Sequence, residues 1–599
     1  MVIKINTIRH SLSHILAYAV QELYPGTKFG IGPAIENGFY YDFDMINSIA
    51  LDSLPKIEKK MKELIKKDIK FRKKIVSRTE SKKIFRNQPY KSEIIKDLIK
   101  GDEAKASSSP LANARLAQQG NKITIYESGS FIDLCKGPHI KSTKEINPDG
   151  LKLTEIAGAY WKGSEKNKML TRIYGVAFGR EKELNEYLKL QTEIEKRDHR
   201  ILAKKLDLFH IEDNIGPGLI LWHPKGAMLK KIIEGFIIDE YLKNEYELVS
   251  TPHIAKLDLW KTSGHTGFYK EGMFPPIHLM EINQDEKNDY QLKPMNCPFH
   301  IAIYKQEIRS YRDLPIRYTE LGTVYRYERS GTLHGLARVR GFTQDDAHIF
   351  CTPEQLEKEL ISTLKLTIHI LKTFGFKDYA VYLSTMPKKY VGTVKNWEKA
   401  TKSLKNALEK LKISYQIDPG EGVFYGPKID IKIKDSIGRS WQCTTIQVDF
   451  NLPERFQVEY INQKSKKEQP IMIHRALLGS LERFIGVLIE HYAGSFPLWL
   501  APEQIWVIPI GLAHQKYAEE VMKKLNESGS RCKLKGRNET VSKKIREGEI
   551  QKIPYLLVVG DNEKKNKTVN VRQRDKGNLG EMGLEKFKEK IKLEINKRE

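Results

Sequence analysis

Cysteine and long apolar runs are both scarce in this sequence, and each scarcity excludes a class of protein. The 599 residues include five cysteines, spread far apart along the chain: Cys135, Cys297, Cys351, Cys443 and Cys532. Few, dispersed and odd in number, they argue against a disulfide framework and for free thiols or metal ligands in a reducing compartment. No apolar stretch approaches the ~20 residues of a membrane-spanning helix, and the mean hydropathy is -0.49. The sequence therefore excludes a small disulfide-stapled protein and an integral helical membrane protein.

Acidic residues are under-represented relative to basic ones. Lys plus Arg number 101 against 76 Asp plus Glu, a net charge of +25. A surplus of this size favours a polyanionic partner, with nucleic acid first and an anionic membrane surface second. Residues 501–599 hold 23 basic against 15 acidic side chains, so this segment is the leading candidate for contact with nucleic acid.

The amino-terminal residues carry a pattern that secretory leaders also show. Basic residues precede an apolar stretch at 12–20, and a small-residue motif at 17–19 is similar to a cleavage site. Polar residues at 13–14 interrupt the apolar stretch, which argues against a leader. We therefore expect a cytoplasmic protein with no membrane association.

The chain is long enough for several domains of ~100–200 residues each. Composition and periodicity predict four segments: 1–180, a charged linker helix at 181–205, a largest domain at 206–500, and 501–599. In the last segment, strand-like runs at 505–509, 531–534 and 555–559 alternate with helical patterns at 515–525 and 541–550. This alternation predicts a small α/β domain.

The first segment mixes helical and strand patterns. Apolar residues at three- and four-residue steps predict a helix over 8–23, and the run 39–44 predicts a strand. The Lys-rich stretch 53–100 is helical in pattern, whereas 104–120 is small and polar and is typical of a loop or a mobile helix rather than of core.

An arginine cluster at 326–340 predicts an anion site. Arg326, Arg329, Arg338 and Arg340 lie on two strand-like runs joined by a Gly/Ser loop. Guanidinium groups orient a phosphate through paired hydrogen bonds better than a point charge does. The alternative is an exposed charged hairpin with no ligand.

Two sets of Cys and His residues are candidate metal ligands. Cys297, His348 and His474 are scattered, and each taken alone is more typical of a packed core. His10 and His14 at i and i+4 share a helix face, and Cys135 and His139 repeat that spacing later. The second set predicts either a zinc site or a metal-free polar pocket in which histidine acts as acid, base or hydrogen-bond partner of a water.

These segments together resemble the bacterial threonyl-tRNA synthetases, class II aminoacyl-tRNA synthetases, from about Ile8 to the C-terminus. The matching segments are His10–His14 with Asp133–His139 (editing domain), 161–164 and 171–175 (second additional domain), Pro252 (motif 1), Arg326–Arg338 (motif 2) and Leu478–Arg483 (motif 3). The resemblance implies an α+β multidomain fold with an N-terminal α+β editing domain and a C-terminal α/β anticodon-binding domain. The catalytic core would be a six-stranded antiparallel sheet.

The resemblance also implies roles for individual residues. One Zn²⁺ per subunit would be held by Cys297, His348 and His474, and Mg²⁺ would accompany ATP. ATP would be bound by Arg326, Glu328, Arg338, Gln442 and Arg483, with Arg326, Arg483 and Lys428 as catalytic groups. Threonine would be bound by Gln344, Asp346, Tyr425 and Gln447, and editing would use His10, His14, Asp133, Cys135 and His139. The anticodon would meet Asn538, Glu563 and Arg572.

The implied activity is that of a threonine–tRNA ligase with a second, hydrolytic site. The enzyme would form threonyl-adenylate from L-threonine and ATP, charge tRNA(Thr), and hydrolyse mischarged seryl-tRNA. Serine differs from threonine by one methyl group, which gives only ~10- to 200-fold discrimination, so an editing site is needed. The class II motif 1 also implies a homodimer. Two rivals are a non-enzymatic RNA-binding regulator, which would be expected to lose Arg326 or Arg483, and a zinc-dependent hydrolase acting on nucleic acid.

Two features depart from the usual pattern of this family. Its members usually begin with a small β-grasp domain before the editing domain, whereas His10 lies almost at the start here. The stretches 104–120 and 281–290 are longer than usual and predict surface insertions.

Overall fold

The computed structural model describes residues 2–100, 118–119, 122–279, 288–536 and 539–598. They form two compact units, residues 1–193 and 194–599. Among these residues, no helix has the length and apolar character needed to cross a bilayer. The predicted insertions at 104–120 and 281–290 lie outside the described residues, apart from short pieces that belong to strands Gln118–Gln119 and Asn288–Leu292.

The first unit packs helices against two antiparallel sheets. Its described helices are Val2–Leu23, Leu54–Lys66, Arg78–Ile84 and Pro89–Lys100. One sheet contains Lys28–Phe29, Gly38–Asp44, Met169–Ala177 and Leu151–Tyr160 in that order, with Ala34–Ile35 beside Gly38–Asp44. The other contains Phe71–Ser77, Lys122–Ser128, Gln118–Gln119 and Phe131–Leu134, with Lys122–Ser128 paired to the other three. Helix Val2–Leu23 confirms the predicted periodicity, because its residues Leu12, Ile15, Leu16 and Ala19 are fully buried.

The helical prediction for 53–100 is wrong over Phe71–Ser77, which is a strand. Among the described strands it pairs with one, Lys122–Ser128, and so forms an edge of the described sheet. Exposed lysines suit a sheet edge because they discourage pairing with another chain. A Lys-rich composition is therefore compatible with either a helix or an edge strand, and the distant partner strand decides between them.

The predicted linker helix is two helices, Glu181–Arg197 and His199–Leu206. Asp198 separates them, and its carboxylate accepts a hydrogen bond from the Arg200 N–H at 2.8 Å. A side-chain acceptor at this position starts a new helix by satisfying a free N–H group of its first turn.

The second unit is built on a large sheet. The strand order is Glu247–Leu248, Ile316–Tyr325, Gly341–Cys351, Ile471–Ser480, Ser440–Asp449, Lys428–Lys434, Tyr379–Ser384 and Gln416–Asp418. The six inner strands are antiparallel, which confirms the predicted class II sheet, and a short parallel strand extends each edge. Helices Pro224–Lys243, Leu356–Thr373, Val394–Lys410 and Leu481–His491 contribute buried residues to the core on this sheet.

Smaller elements complete this part of the second unit. Its other described helices are Leu257–Thr262, His265–Phe268, Cys297–Tyr304 and Asn451–Arg455. Its small sheets are Phe209–His210 with Leu221–Trp222, then Ile254–Lys256 with Asn288–Leu292 and Ile277–Leu279, and Arg309–Ser310 with Tyr460–Ile461 and Lys467–Glu468.

The C-terminal part of the second unit confirms the predicted α/β alternation. Its sheet runs Cys532–Leu534, Ile505–Pro509, Tyr555–Val559, Thr568–Gln573 and Gly577–Gly583, the first three parallel. Its helices are Gln515–Glu527, Val541–Ile550, Asp561–Asn566 and Leu584–Lys597. The run Ile505–Pro509 is buried throughout, as expected of a strand covered on both faces.

Candidate active site

Strand register lines up four predicted site residues across the large sheet. His348 lies opposite His474, His474 opposite Gln447, and Gln447 opposite Lys428. Directly opposed residues in antiparallel strands point to the same face of the sheet. Gln344 and Asp346 precede His348 at two-residue steps on its strand, so they share that face. Six residues from four strands are thereby gathered on one surface.

Cys297 completes a three-ligand cluster on this surface. It opens helix Cys297–Tyr304, and its Sγ and one ring nitrogen each of His348 and His474 all lie within 4.8 Å of one another. Burial, with Asp346 and Asp449 next in effect, raises the pKa of the Cys297 thiol well above its usual range. Burial lowers the pKa of His348 well below its usual range, so the imidazole is neutral and able to donate a lone pair.

Neighbouring groups fix which ring nitrogen of each histidine is free. His474 Nε2 lies 2.9 Å from the buried carboxylate of Asp449, which requires a proton on Nε2 and leaves Nδ1 as the lone pair. His300 Nε2 lies 3.3 Å from Glu320 and donates to it. His300 Nδ1 is then the acceptor for His348 Nδ1 at 2.9 Å, and His348 Nε2 is left free.

This arrangement fits zinc. One sulfur and two nitrogens, with the imidazole rings oriented by hydrogen bonds to neighbouring side chains, are the donors of a catalytic zinc site, which leaves room for a further ligand. No sequence pattern predicts the roles of Asp449, His300 or Glu320, because these roles depend on contacts between residues distant in the chain.

The other predicted threonine-binding residues surround this cluster. Asp346 Oδ2 accepts a hydrogen bond from Asn296 Nδ2 at 3.0 Å, and the Tyr425 ring lies 5.6 Å from that of His474. Gln344 Oε1 is buried without a hydrogen-bond partner among the described residues. Gln447 Nε2 donates to the Gly426 carbonyl at 3.4 Å. A buried free acceptor beside a carboxylate suits a ligand that carries N–H groups.

Lys428 and Gln442 are joined through a carboxylate that sequence reasoning missed. Asp430 Oδ2 lies 2.7 Å from Lys428 Nζ, and its Oδ1 accepts from Gln442 Nε2 at 2.9 Å. Asp430 lies two residues after Lys428 on the same strand and so faces the same way.

The arginine cluster lies in a loop and not on strands. Strand Ile316–Tyr325 ends before it, strand Gly341–Cys351 begins after it, and we call residues 326–340 the arginine loop. The expectation of two strand-like runs is therefore wrong within the loop: the Arg326 N–H donates to the Arg340 carbonyl at 2.8 Å and closes its base. Beyond that pair, the described part of the chain adds one isolated antiparallel bridge, between His334 and Arg338, and no continuous ladder.

Three of the predicted ATP-binding arginines come close together around the loop. Arg483 Nε donates to the Ala337 carbonyl at 3.0 Å, and Arg338 pairs with Glu328 at 3.0 Å. Burial lowers the pKa of Arg483, and the positive charges of Arg326 and Arg338 lower it further. Mutually repelling guanidinium groups that a fold holds together are a site for a polyanion. Arg329 is different, because its side chain is 83% exposed and is 3.6 Å from Glu271.

A second cluster of potential metal ligands lies in the first unit. Its four ligand atoms all lie within 4.8 Å of one another and come from His10, His14, Cys135 and His139. Cys135 Sγ lies 3.3 Å from the Nε2 atoms of both His10 and His139. His10 Nδ1 donates to the Pro138 carbonyl at 3.2 Å. Ser11 Oγ donates to the Thr7 carbonyl at 2.9 Å and so accepts from His139 Nδ1 at 3.0 Å.

The hydrogen count of this cluster calls for one more partner. The Nε2 atoms of His10 and His139 each carry a lone pair and act as acceptors. Burial raises the pKa of the Cys135 thiol to about 12, so the thiol is protonated. Its single S–H group therefore faces two acceptors. Burial also lowers the pKa values of His10, His14 and His139, which keeps all three neutral. A metal ion or a hydrogen-donating water would satisfy the remaining acceptor.

Asp133 anchors the cluster from the side. It accepts from Tyr41 OH at 2.7 Å, forms an ion pair with the buried Lys91, and lies 3.5 Å from His14 Nε2. Lys91 and Tyr41 were not predicted, since neither lies near a recognisable spacing. The structure thus brings together all five residues to which the family resemblance assigns editing.

The predicted anticodon residues are less informative. Glu563 Oε2 accepts from the Gly560 N–H at 2.9 Å and caps its own helix. Arg572 lies on strand Thr568–Gln573, 4.0 Å from Glu549. Asn538 lies outside the described residues.

Comparison with known proteins agrees with this geometry. The tRNA synthetase class II core domain (G, H, P, S and T) matches residues 279–492, and an anticodon binding domain matches 504–594. The threonyl and alanyl tRNA synthetase second additional domain matches residues 123–174.

Two relatives that align over nearly the whole of this chain have the same name. The chain is 50% identical to the threonine–tRNA ligase of Aquifex aeolicus (strain VF5), over 99% of this chain and 89% of that protein. It is 48% identical to the threonine–tRNA ligase of Borreliella afzelii (strain PKo), over 99% and 97% respectively. A crystal structure of the RNA binding domain of threonyl-tRNA synthetase from Cryptosporidium parvum Iowa II superposes with a TM-score of 0.63 at 42% identity. It covers 66% of this chain and 98% of its own. This chain therefore belongs to the threonine–tRNA ligases, a family of class II aminoacyl-tRNA synthetases.

Proposed function

We propose that this protein activates L-threonine with ATP, transfers it to the 3′ end of tRNA(Thr), and hydrolyses seryl-tRNA in its N-terminal unit. The observation that carries the synthetic part is the row of Lys428, Gln447, His474 and His348 on the class II sheet, beside the arginines of the 326–340 region. An amino-acid pocket and a polyanion site on adjoining elements are what adenylate formation requires.

Cys297, His348 and His474 would hold one zinc ion. When bound, that ion would have room beside its three protein ligands for the amino and hydroxyl groups of threonine. Asp346 would accept a hydrogen bond from the substrate amino group, and Gln344, Tyr425 and Gln447 would line the pocket. Valine lacks the hydroxyl group that this site requires, so its binding would leave polar groups of the site unpaired. Valine would therefore be rejected strongly.

The arginines would bind and orient ATP. Arg326 would hold the α-phosphate and the threonine carboxylate together, stabilising the charge that develops as the carboxylate attacks phosphorus and pyrophosphate departs. Arg483 and Arg338 would hold the distal phosphates, and Mg²⁺ bound with ATP would offset part of their negative charge. Glu328 would face the adenine amino group, while Gln442 and Lys428, tied by Asp430, would line the nucleotide site.

The cluster of His10, His14, Cys135 and His139, with Asp133, would hydrolyse seryl-tRNA. We favour a metal-free pocket in which a histidine lone pair accepts a proton from water as that water attacks the ester carbonyl. The ester bond to the tRNA ribose then breaks, and the ribose oxygen takes up the proton as serine is released. Serine reaches this second site because the synthetic site rejects it only through one missing methyl group.

The positive charge and the C-terminal domain point to tRNA as the macromolecular partner. Asn538, Glu563 and Arg572 would meet the anticodon.

We also propose a homodimer through motif 1, where Leu242 and Leu248 are about half exposed, and a cytoplasmic location. The proposed domains are 1–180 for editing, 181–205 as linker, 206–500 for catalysis and 501–599 for the anticodon.

Threonine-dependent exchange of pyrophosphate into ATP tests this proposal. We expect exchange with threonine, weaker exchange with serine by roughly 10- to 200-fold, and almost none with valine. Exchange that ignores the amino acid, or hydrolysis of nucleic acid without it, would favour the zinc-dependent hydrolase instead.

Zinc loss tests the ligand cluster separately. We expect about one tightly held zinc per chain from the synthetic site, and His348→Ala should lose both that metal and threonine-dependent exchange. The exposed His369, which is 3.2 Å from Glu240, offers the control His369→Ala, which should keep both. Elemental analysis and exchange assays measure the two effects, and a zinc-free protein with full exchange would contradict the assignment.

A further inference from the structure

The residue His199 connects the linker to the arginine loop. It is the first residue of helix His199–Leu206 and is almost completely buried. Its Nε2 lies 2.9 Å from the backbone N–H of Leu336, in the second half of the loop. Because a backbone N–H can only donate, Nε2 is the acceptor and the ring proton is on Nδ1.

A carboxylate fixes the other side of this imidazole. His199 Nδ1 donates to Glu490 Oε1 at 2.6 Å, and the backbone N–H of His199 donates to the same oxygen at 3.1 Å. The other oxygen of Glu490 pairs with Arg439, which in turn binds Asp435 at 2.7 Å. The ring orientation is therefore set by a buried chain of charged groups.

The loop backbone is shaped to receive the ring. Gly335 has φ +47°, in the left-handed region that favours glycine. A Cβ atom at Gly335 would overlap His199 Nε2. The imidazole thus lies directly against the loop at a position where only a glycine lets it approach.

Two consecutive loop residues are held by groups from outside the loop. Leu336 donates to His199, and Ala337 accepts from Arg483 Nε at 3.0 Å. Arg483 and Glu490 belong to the same helix, Leu481–His491. This helix therefore supports residues 336–337 directly through Arg483 and indirectly through Glu490 and His199.

A metal ion does not account for this cluster. Asp198, His199 and Glu490 have potential ligand atoms within 4.8 Å of one another, but each is already engaged. Arg200 holds Asp198 through contacts of 2.6 and 3.0 Å, and both nitrogens of His199 are used by hydrogen bonds. These hydrogen bonds hold residue Leu336 of the loop in place.

We propose that His199 is a positioning residue for ATP binding. It fixes Leu336 so that Arg338, two residues later, and Arg483 face the phosphates together. The inference rests on the proposed function, because it takes these arginines as nucleotide-binding groups. Its sequence signal is slight, since His199 lies at the end of a charged linker, 137 residues before Leu336.

The test compares two substitutions of similar size. His199→Leu removes the acceptor, whereas His199→Gln can offer an amide oxygen to Leu336 and an N–H to Glu490. In the exchange assay we expect His199→Leu to raise the KM for ATP about tenfold to a hundredfold, as for a buried N–H without an acceptor, with little change in the KM for threonine. His199→Gln should restore most of the loss, and His369→Gln, which removes an exposed histidine–glutamate contact, should behave as wild type.

A second measurement separates positioning from general destabilisation and from the proposed activity. Trypsin cleavage at Arg329 and Arg338 should accelerate in His199→Leu at temperatures well below its Tm, and His199→Gln should restore protection. A folded His199→Leu protein with wild-type KM for ATP and wild-type cleavage would overturn the proposal. Parallel increases in both KM values that simply track a lowered Tm would also overturn it. If the wild type shows no exchange, the proposed function fails, while the cleavage comparison still decides whether His199 holds the loop.

Discussion

Arg326→Lys is expected to lower the rate of threonyl-adenylate formation by roughly 100- to 1,000-fold, the usual cost of removing one electrostatic donor from a transition state. Lysine keeps the charge but loses the planar group that can bind two oxygens at once. The surroundings of Arg326 favour the planar group: its guanidinium carbon lies 5.1 Å from the centre of the Phe342 ring and 5.8 Å from that of Tyr269. Single-turnover adenylate formation with saturating ATP and threonine measures the effect.

The fold should not change in this variant. Arg326 Nε makes one long contact, 3.4 Å, with the Pro294 carbonyl, so little stability depends on the side chain. Arg312 is exposed, and Arg312→Lys provides a matched control that should retain wild-type rates and Tm. Near-normal turnover in Arg326→Lys would show that the loop arginine is structural and not catalytic.

Replacing His10 and His14 together by alanine should nearly abolish hydrolysis of seryl-tRNA while threonine charging proceeds normally. The two rings lie on one face of helix Val2–Leu23, with centroids 5.5 Å apart, and both are buried neutral groups. Loss of a positioned general base costs ~100- to 10,000-fold, and serine then accumulates on tRNA at the modest discrimination of the synthetic site. Deacylation of preformed seryl-tRNA and misacylation assays measure the two consequences.

Zinc content distinguishes the two chemistries that this pocket allows. In a metal-free pocket, the double variant should keep about one zinc per chain and a folded N-terminal unit. In a zinc pocket, the wild type should hold two and the variant one, with a lowered Tm. Gln21→Ala, an exposed change on the same helix, is the control for helix perturbation. Wild-type deacylation by the double variant would contradict both chemistries.

Local patterns in the sequence determined many secondary-structure elements. The buried run Ile505–Pro509 and the following helix Gln515–Glu527 form as predicted, because a doubly covered strand and an amphipathic helix each carry their own apolar period. Helix Val2–Leu23 is predictable for the same reason. The motif residues Arg326 and Arg483 were also visible, although their shared role entered through family resemblance and not through spacing.

Only the tertiary structure decided where these elements meet. Phe71–Ser77 is a strand because Lys122–Ser128 pairs with it. The residue pattern within Phe71–Ser77 does not predict that partner. Cys297, His348 and His474 converge because a helix start and two antiparallel strands fix their positions. Their individual neighbours in sequence favour an ordinary packed core.

The groups that orient the site residues were invisible in the sequence for the same physical reason. Asp430, Asp449, His300 and His199 act through hydrogen bonds to residues that other elements bring within 3.3 Å. Hydrogen-bond directions and histidine tautomers depend on these long-range contacts, whereas apolar periodicity depends on the local chain. The sequence by itself thus determined the charge, the residue types and those elements that carry their own apolar period. The packing of one strand or helix against another determined which of those residues can act together.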